Sequence, residues 1–348
     1  MRIVFAGSPS IAVPAFETLC EYSCEHSCEH SCEYSCEHSL GGGIEMAGVL
    51  TNPDSPKGRS GTPLPTEVGE AAARAVQKFE GQGRAIFPVL KPEKLDAQAR
   101  ELIAALKPDL LVSFAYGRIF GPKFLALFPH GGINVHPSLL PKYRGPSPIQ
   151  AAILNRDCVT GITVQKLAAQ MDEGDILAQE QFQLTGAETS GSLGEIMAQK
   201  AALILPAVLE NIASGNVKGK AQNHSEASYC TLVSREDALI NWKAGATEIE
   251  AKVRAFDPWP LCRTLHKGRE LFILRASVYE KDAAFCGKSG PACVLGIDKQ
   301  DGILVQTGEG ILAVTELQYQ GKKALMWKDF LNGARDFTGS QLGEGVII

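Results

Sequence analysis

The chain has no uninterrupted apolar run of about 18 residues, so no membrane-spanning segment is expected. It has no Gly-x-Gly-x-x-Gly, which removes the main sign of a dinucleotide cofactor. It also has no Cys-x-x-Cys pair. Of its ten cysteines, five (Cys20, Cys24, Cys28, Cys32 and Cys36) lie in one repeat and five (Cys158, Cys230, Cys262, Cys286 and Cys293) are scattered. That distribution argues against a disulfide framework and fits reduced thiols. The opening Met1-Arg2-Ile3-Val4-Phe5-Ala6-Gly7 reads as a strand and a tight turn. It lacks the apolar core and cleavage site of a secretory signal, and a cytoplasmic setting is the expectation. A large excess of charge of one sign is missing as well. The net charge is −5, but the repeat alone carries five glutamates (Glu21, Glu25, Glu29, Glu33, Glu37) and no Lys or Arg. The remaining body is neutral, so nucleic-acid binding would need a local basic cluster.

What is present is an ordinary globular composition, 45% apolar and 21% charged, in 348 residues, a length that suits two domains. The first half alternates strands and helices. Ile3 to Ala6, Ile44 to Thr51, Leu110 to Phe114 and Ile133 to His136 read as strands. Val13 to Leu19 and Pro92 to Leu106 read as helices, the second with Leu95, Ala99, Leu102, Ile103 and Leu106 on one stripe. Such alternation predicts an α/β fold, a doubly wound, mostly parallel Rossmann-like sheet with ligands beyond the carboxyl ends of its strands. A helix carrying Leu193, Ile196 and Leu203 follows. Residues 1–215 are expected to form this first domain, with a low-complexity insertion at 20–39, and 216–236 a polar linker. In 237–348, short strands are split by turns at Lys267-Gly268, Asp301-Gly302 and Glu309-Gly310, ahead of a closing helix from Met326 to Leu331. That pattern predicts a small OB-like β-barrel.

Residues 20–39 are five copies of Cys-Glu-(His/Tyr)-Ser. On a helix, a four-residue period would wind the cysteines into a slow stripe. Coordination needs ligands converging on one point, whereas a single helix sets them in a row. The repeat is therefore read as an expansion in the link between helix and strand, and no metal is expected.

The most informative stretch is Gly132-Ile133-Asn134-Val135-His136-Pro137-Ser138-Leu139-Leu140-Pro141. Asn134 and His136 are two apart on a strand, so both project from one face. Pro137 then ends the strand. An amide donor and an imidazole at a strand end can hold an oxyanion, and Asp172, in the turn Met171-Asp172-Glu173-Gly174-Asp175, can fold back onto the imidazole. Asn134, His136 and Asp172 are thus candidate catalytic residues for acyl transfer without a Ser or Cys nucleophile.

The run from Asn134 through Pro141 to Lys142-Tyr143-Arg144-Gly145, followed by Asp172-Glu173-Gly174-Asp175-Ile176, resembles the signature of the 10-formyltetrahydrofolate-dependent formyltransferases. Val4-Phe5-Ala6-Gly7-Ser8-Pro9, Arg254-Ala255-Phe256-Asp257-Pro258-Trp259-Pro260 and Gly321-Lys322-Lys323-Ala324 resemble the methionyl-tRNA formyltransferases within that family. The resemblance covers nearly the whole chain apart from the repeat. It implies formyl transfer from 10-formyltetrahydrofolate to the α-amine of methionine on initiator tRNA, for translation initiation. Asn134 and a protonated His136 would then hold the oxyanion, with Asp172 receiving the amine proton. Phe114, Ala115, Tyr116, Gly117, Ser138, Leu139, Leu140 and Pro141 would line the folate pocket. Arg59, Arg263, Lys267, Arg269, Lys322 and Lys323 would contact the tRNA partner, and a monomer is the expectation. The loop after the second strand departs from the family, since Ser60-Gly61-Thr62-Pro63 stands where further basic residues are usual. Three other readings compete with this one: a non-catalytic RNA-binding barrel protein, a metal buffer resting on the repeat, and a sugar N-formyltransferase.

Overall fold

The computed structural model describes residues 1–25, 43–56, 61–281 and 290–343. They form two compact units. One comprises Met1–Pro148, Thr160–Phe182 and Gly194–Cys230, and the other Ile149–Val159, Gln183–Leu193 and Thr231–Ile348.

The first unit is built on β1 (Arg2–Gly7), β2 (Glu45–Leu50), β3 (Val89–Leu90), β4 (Leu110–Phe114), β5 (Gly132–His136), β6 (Val159–Lys166) and β7 (Ile176–Gln183). They hydrogen-bond in the order β3-β2-β1-β4-β5-β6-β7. Pairing is parallel from β3 through β5, and β6 runs antiparallel to β5. The order reverses at β1, where β2 lies on one side and β4 on the other, which opens a crevice at the carboxyl ends. The central strands are buried along their length, as a sheet covered on both faces requires.

The helices α1 (Val13–Glu25), α2 (Glu67–Gly81) and α3 (Ala97–Ala105) connect these strands. α2 is capped by Thr66, whose side chain accepts from Gly69 N, with Glu67 and Glu70 in the first turn and Lys78 in the last. α3 starts later than Pro92, because Asp96 accepts from Ala99 N and sets the start there. Ala99 and Ile103 of its stripe are buried, while Leu102 is exposed. The repeat does not begin as a loop. α1 continues through Cys20 to Glu25. Cys20 is buried, Ser23 Oγ accepts from Met46 N at 3.0 Å, and Tyr22 hydrogen-bonds Glu210. Burial pushes the Cys20 thiol far above its ordinary range. Most of the repeat lies outside the described residues, among which no metal-ligating cluster occurs.

Past α4 (Pro148–Leu154) comes the long α5 (Ser190–Ala213). Among the described residues it is the one helix long and apolar enough to cross a membrane by length and composition. Leu193, Met197, Ala201, Leu205 and Leu209, four apart, form its fully buried stripe. Leu203 and Ile196, also on this helix, fall off that stripe and are exposed. Residues 217–230, inside the segment expected as a linker, belong to the first unit, and Gln222 there is buried. The segment is short of apolar residues because hydrogen bonds, not packing, hold it.

The second unit contains β8 (Cys262–His266), β9 (Arg269–Val278), β10 (Val294–Asp298), β11 (Gly302–Gln306), β12 (Ile311–Tyr319) and β13 (Leu325–Met326), with α6 (Ala246–Ala255) and α7 (Trp327–Gly333). The sheet runs β8-β9-β12-β11-β10, antiparallel throughout, with β13 beside β12. Lys267 and Gly268 make the β8–β9 turn with φ of +50° and +72°. Residues 340–343 join the two edge strands: Leu342 bridges His266, and Gln341 bridges Cys293 next to β10. That contact closes the sheet into a barrel and removes its open edges. Ile249 and Val253 of α6 are buried in this unit's core.

Candidate active site

β5 delivers Asn134 and His136 to the carboxyl edge of the first sheet, beside Phe114 at the end of β4. Asn134 is in register with Ser113 on one side and Gln165 on the other, and His136 with Thr163. His136 is only 4% exposed. Its Nε2 lies 2.9 Å from the Tyr143 carbonyl and its Nδ1 3.6 Å from Asp172 Oδ2. The Asn134 side chain is half-buried and makes no hydrogen bond among the described residues, so its amide N–H groups remain available.

Asp172 reaches His136 because the turn after β6 folds back. Its φ is +57°, in the left-handed region, and Gly174 follows where no Cβ fits. The Asp172 carboxylate accepts from Gln165 Nε2 and from Gly145 N, each at 2.8 Å. Gly145 follows Arg144, in the loop that also presents the Tyr143 carbonyl. The sequence therefore brings three separated segments onto one imidazole.

The imidazole faces two acceptors, a carbonyl and a carboxylate. A neutral ring carries one N–H and can serve only one of them. Burial pushes the His136 pKa below its ordinary value, although Asp172 and the Tyr143 carbonyl pull the other way. Desolvation outweighs the neighbouring carboxylate, and that direction favours the neutral form of the resting ring, whereas the sequence reading placed a protonated His136 at the developing oxyanion. Nearby Cys230 Sγ is 3.6 Å from the same Tyr143 carbonyl, and burial pushes its thiol up.

The expected folate-lining residues divide by environment. Phe114 and Tyr116 point into the core. Tyr116 stacks on Phe120 at 5.3 Å, and its hydroxyl has no partner among the described residues. Ala115 and Gly117 are exposed, with φ of +50° and +80°. Ser138 and Leu140 are buried, while Leu139 and Pro141 are half-buried. Thr163 ties this loop to β6: its Oγ1 donates to Ser138 O at 2.7 Å and accepts from Leu140 N at 3.2 Å.

Of the expected tRNA contacts, Arg59 lies outside the described residues. Arg263 is largely buried and paired with Glu270 at 3.1 Å. Lys267 is paired with Asp336. Arg269 lies over the Tyr319 ring at 4.1 Å, while Lys322 and Lys323 are exposed; these three make no ion pair among the described residues. Arg269 begins β9 and Tyr319 ends its neighbour β12, so the three cations share one end of the barrel.

Sequence reasoning missed Gln165, Gln222 and Arg144, which surround Asp172. Arg144 was the one with a signal, since it lies within the Lys142-Tyr143-Arg144-Gly145 run that carries the resemblance; Gln165 is opposite Asn134 only once the sheet has formed. Gln222 sits in a stretch whose polarity looked like a solvated linker.

The chain matches the formyl transferase family over residues 28–209, and the formyl transferase C-terminal domain over residues 232–335. It is 44% identical over 338 residues to the methionyl-tRNA formyltransferase of Treponema denticola, covering 97% of this chain and 98% of that protein. The N-formyltransferase from Helicobacter canadensis, solved with folinic acid and dTDP-3-aminofucose, has a TM-score of 0.59 at 18% identity. The match covers 90% of this chain and 98% of that one. HypX from Aquifex aeolicus superposes with a TM-score of 0.57 at 17% identity over 95% of this chain. The chain spans about half of HypX, 48% of its length. These two likenesses concern the fold.

Proposed function

The chain belongs to the formyl transferase family, and from that premise we propose that it formylates the α-amine of methionine carried by initiator tRNA. The donor is 10-formyltetrahydrofolate, and the work is done in the cytoplasm, in preparing tRNA for translation initiation. One observation carries this reading: a buried His136–Asp172 pair beside the uncommitted amide of Asn134, at the carboxyl edge of the sheet. The full-length likeness to methionyl-tRNA formyltransferases supports the choice of acceptor.

The amine attacks the formyl carbon, a C–N bond forms, and negative charge develops on the formyl oxygen. Asn134 donates an N–H to that oxygen. Removing one such donor costs about 10²–10³ in rate in comparable sites. The attacking nitrogen must then shed a proton. The His136–Asp172 pair accepts it as a unit, because both ring nitrogens already face protein acceptors; once protonated, the imidazolium has an N–H for each of them, the Tyr143 carbonyl and the Asp172 carboxylate. When the bond to N10 breaks, the same proton is available to the departing tetrahydrofolate nitrogen. Exposed Ala115 and Gly117, with the loop from Ser138 to Pro141, support a donor site beside the pair. Of the expected barrel contacts, Arg269, Lys322 and Lys323 make no ion pair among the described residues and are free to meet phosphates; Arg263 is neutralised by Glu270. The test is formylation of charged initiator tRNA by the purified chain with 10-formyltetrahydrofolate. Transfer to an amino-sugar nucleotide instead, with none to the tRNA, would refute the proposed acceptor.

A further inference from the structure

Arg144 heads the fully buried large side chains, at 1% exposed. A buried guanidinium with no direct part in the chemistry needs an explanation, and its contacts lead to Asp172. Its Nη2 and Nε donate to Gln222 Oε1 at 2.8 and 3.2 Å, and its Nη1 to Glu173 Oε1 at 2.9 Å. The Gln222 amide nitrogen faces Gly174 O at 2.7 Å, Asp172 O at 2.8 Å and Gln165 Oε1 at 3.3 Å. Gln165 in turn donates to the Asp172 carboxylate at 2.8 Å.

We propose that Gln222 is a positioning residue for the His136–Asp172 pair, oriented by Arg144; this rests on the reading of that pair as the proton acceptor. A guanidinium can only donate, so the Gln222 oxygen must face Arg144 and its nitrogen must face the carbonyls. Gln222 has two N–H groups for three acceptors, so Gln165 Oε1, the farthest at 3.3 Å, shares one of them with a backbone carbonyl; that contact leaves the Gln165 nitrogen turned toward Asp172. Two amides therefore pass one polarity from Arg144 to the carboxylate. Gln222 also grips the backbone on both sides of Glu173, holding Asp172 in a left-handed conformation that non-glycine residues rarely adopt. The carboxylate is thereby aimed at His136 from behind as well as from the side. Glu173 pairs with Arg144 and offsets the burial of its charge. The charged and titratable groups around His136 are Asp172 and Cys230, with Arg144, Glu173 and His224 one layer further out.

The experiment compares the full chain with Gln222→Glu and Gln222→Leu. Gln222→Glu retains the size and the acceptor that Arg144 needs, and loses the donor. The readouts are kcat, KM for the formyl donor, and the titration midpoint of the His136 ring by NMR. Expected are a fall in kcat of about tenfold or more, KM within about twofold, and a displaced His136 midpoint. Gln306→Leu is the control. Gln306 is a buried amide of the barrel, donating to Thr307 O and Gly310 O, and its loss should lower the melting temperature alone. A folded Gln222→Glu with unchanged kcat and unchanged His136 midpoint overturns the proposal. So does a Gln222→Glu that cannot fold, since the residue would then be structural, or an equal kcat loss in Gln306→Leu. His136→Ala tests the underlying pair separately: normal turnover there would sink the catalytic reading whatever Gln222 does.

Discussion

Replacing Gly174 with alanine should disable the site through space alone. A Cβ at Gly174 would stand 1.8 Å from the Lys166 carbonyl oxygen and 2.7 Å from its carbon, both backbone atoms. Lys166 cannot retreat, because it ends β6 and pairs with Ile133 of β5. The turn from Met171 to Asp175 must move instead, by roughly 1.6 Å or more to bring 1.8 Å up to an ordinary contact of about 3.4 Å. That motion pulls at the bond from Lys166 N to Asp175 O, now 2.9 Å, and at Asp172 Oδ2, now 3.6 Å from His136 Nδ1. A misplacement of about 1 Å at a reacting group costs on the order of 10²-fold in rate. Overpacking of this kind costs about 1–3 kcal/mol of stability. For a unit of this size that lowers the melting temperature by a few degrees per kcal/mol, roughly 2–12 °C in all. The assay is steady-state formylation beside differential scanning calorimetry. Gly194→Ala makes the same chemical change in α5, where nothing lies within 4 Å of the new methyl. It should keep full activity and gain about 0.5–1 kcal/mol of stability. A Gly174→Ala enzyme turning over within about threefold of the parent would refute the claim that the turn's position sets the rate.

His136→Ala is expected to lower kcat at least about 10²-fold while folate affinity, measured by fluorescence titration, stays within a few-fold; near-normal turnover would exclude the mechanism. Burial holds the His136 pKa below its unfolded value of 6.5, and burial together with Lys267 does the same for His266. Protons then bind the unfolded chain more readily, so stability is complete above about pH 6.5 and falls as pH drops toward the depressed folded values. A melting temperature that rises on acidification from pH 7.5 to 5.5 would contradict this. Reversing Arg269, Lys322 or Lys323 to Glu should flatten the log–log salt dependence of tRNA binding by about 0.7–0.9 per lost phosphate contact, whereas Arg263→Gln should leave the slope alone. Equal slopes for all four would remove the barrel end from the tRNA surface.

Much of the molecule was legible in the sequence because its signals are local. The Leu110–Phe114 strand announces itself as an apolar run between polar neighbours, and a parallel sheet buried on both faces needs such a run. The alternation of strand and helix implied the doubly wound order, and the glycine turns implied the antiparallel barrel. Asn134 and His136 were readable for the same reason, since two-residue spacing puts side chains on one face wherever the strand ends up. Asp172 stood out by its turn chemistry and by resemblance. Local signals failed where a competing local cap or a distant partner decided. Asp96 started α3 later than Pro92, and α5 turned Leu193 inward but left Leu203 exposed, since only the packed neighbours choose a helix's inner face. The lowered pKa of His136 followed the same rule. Composition cannot report desolvation, and only folding sets the imidazole among the Tyr143 carbonyl, Asp172 and their donors. Gln222 is the clearest case. In the sequence it is one more polar residue in a polar stretch; in the fold it is buried among Arg144, Gln165 and the turn of Asp172. Hydrogen bonds between residues dozens of positions apart leave no periodicity to read, so that part of the site exists only in three dimensions.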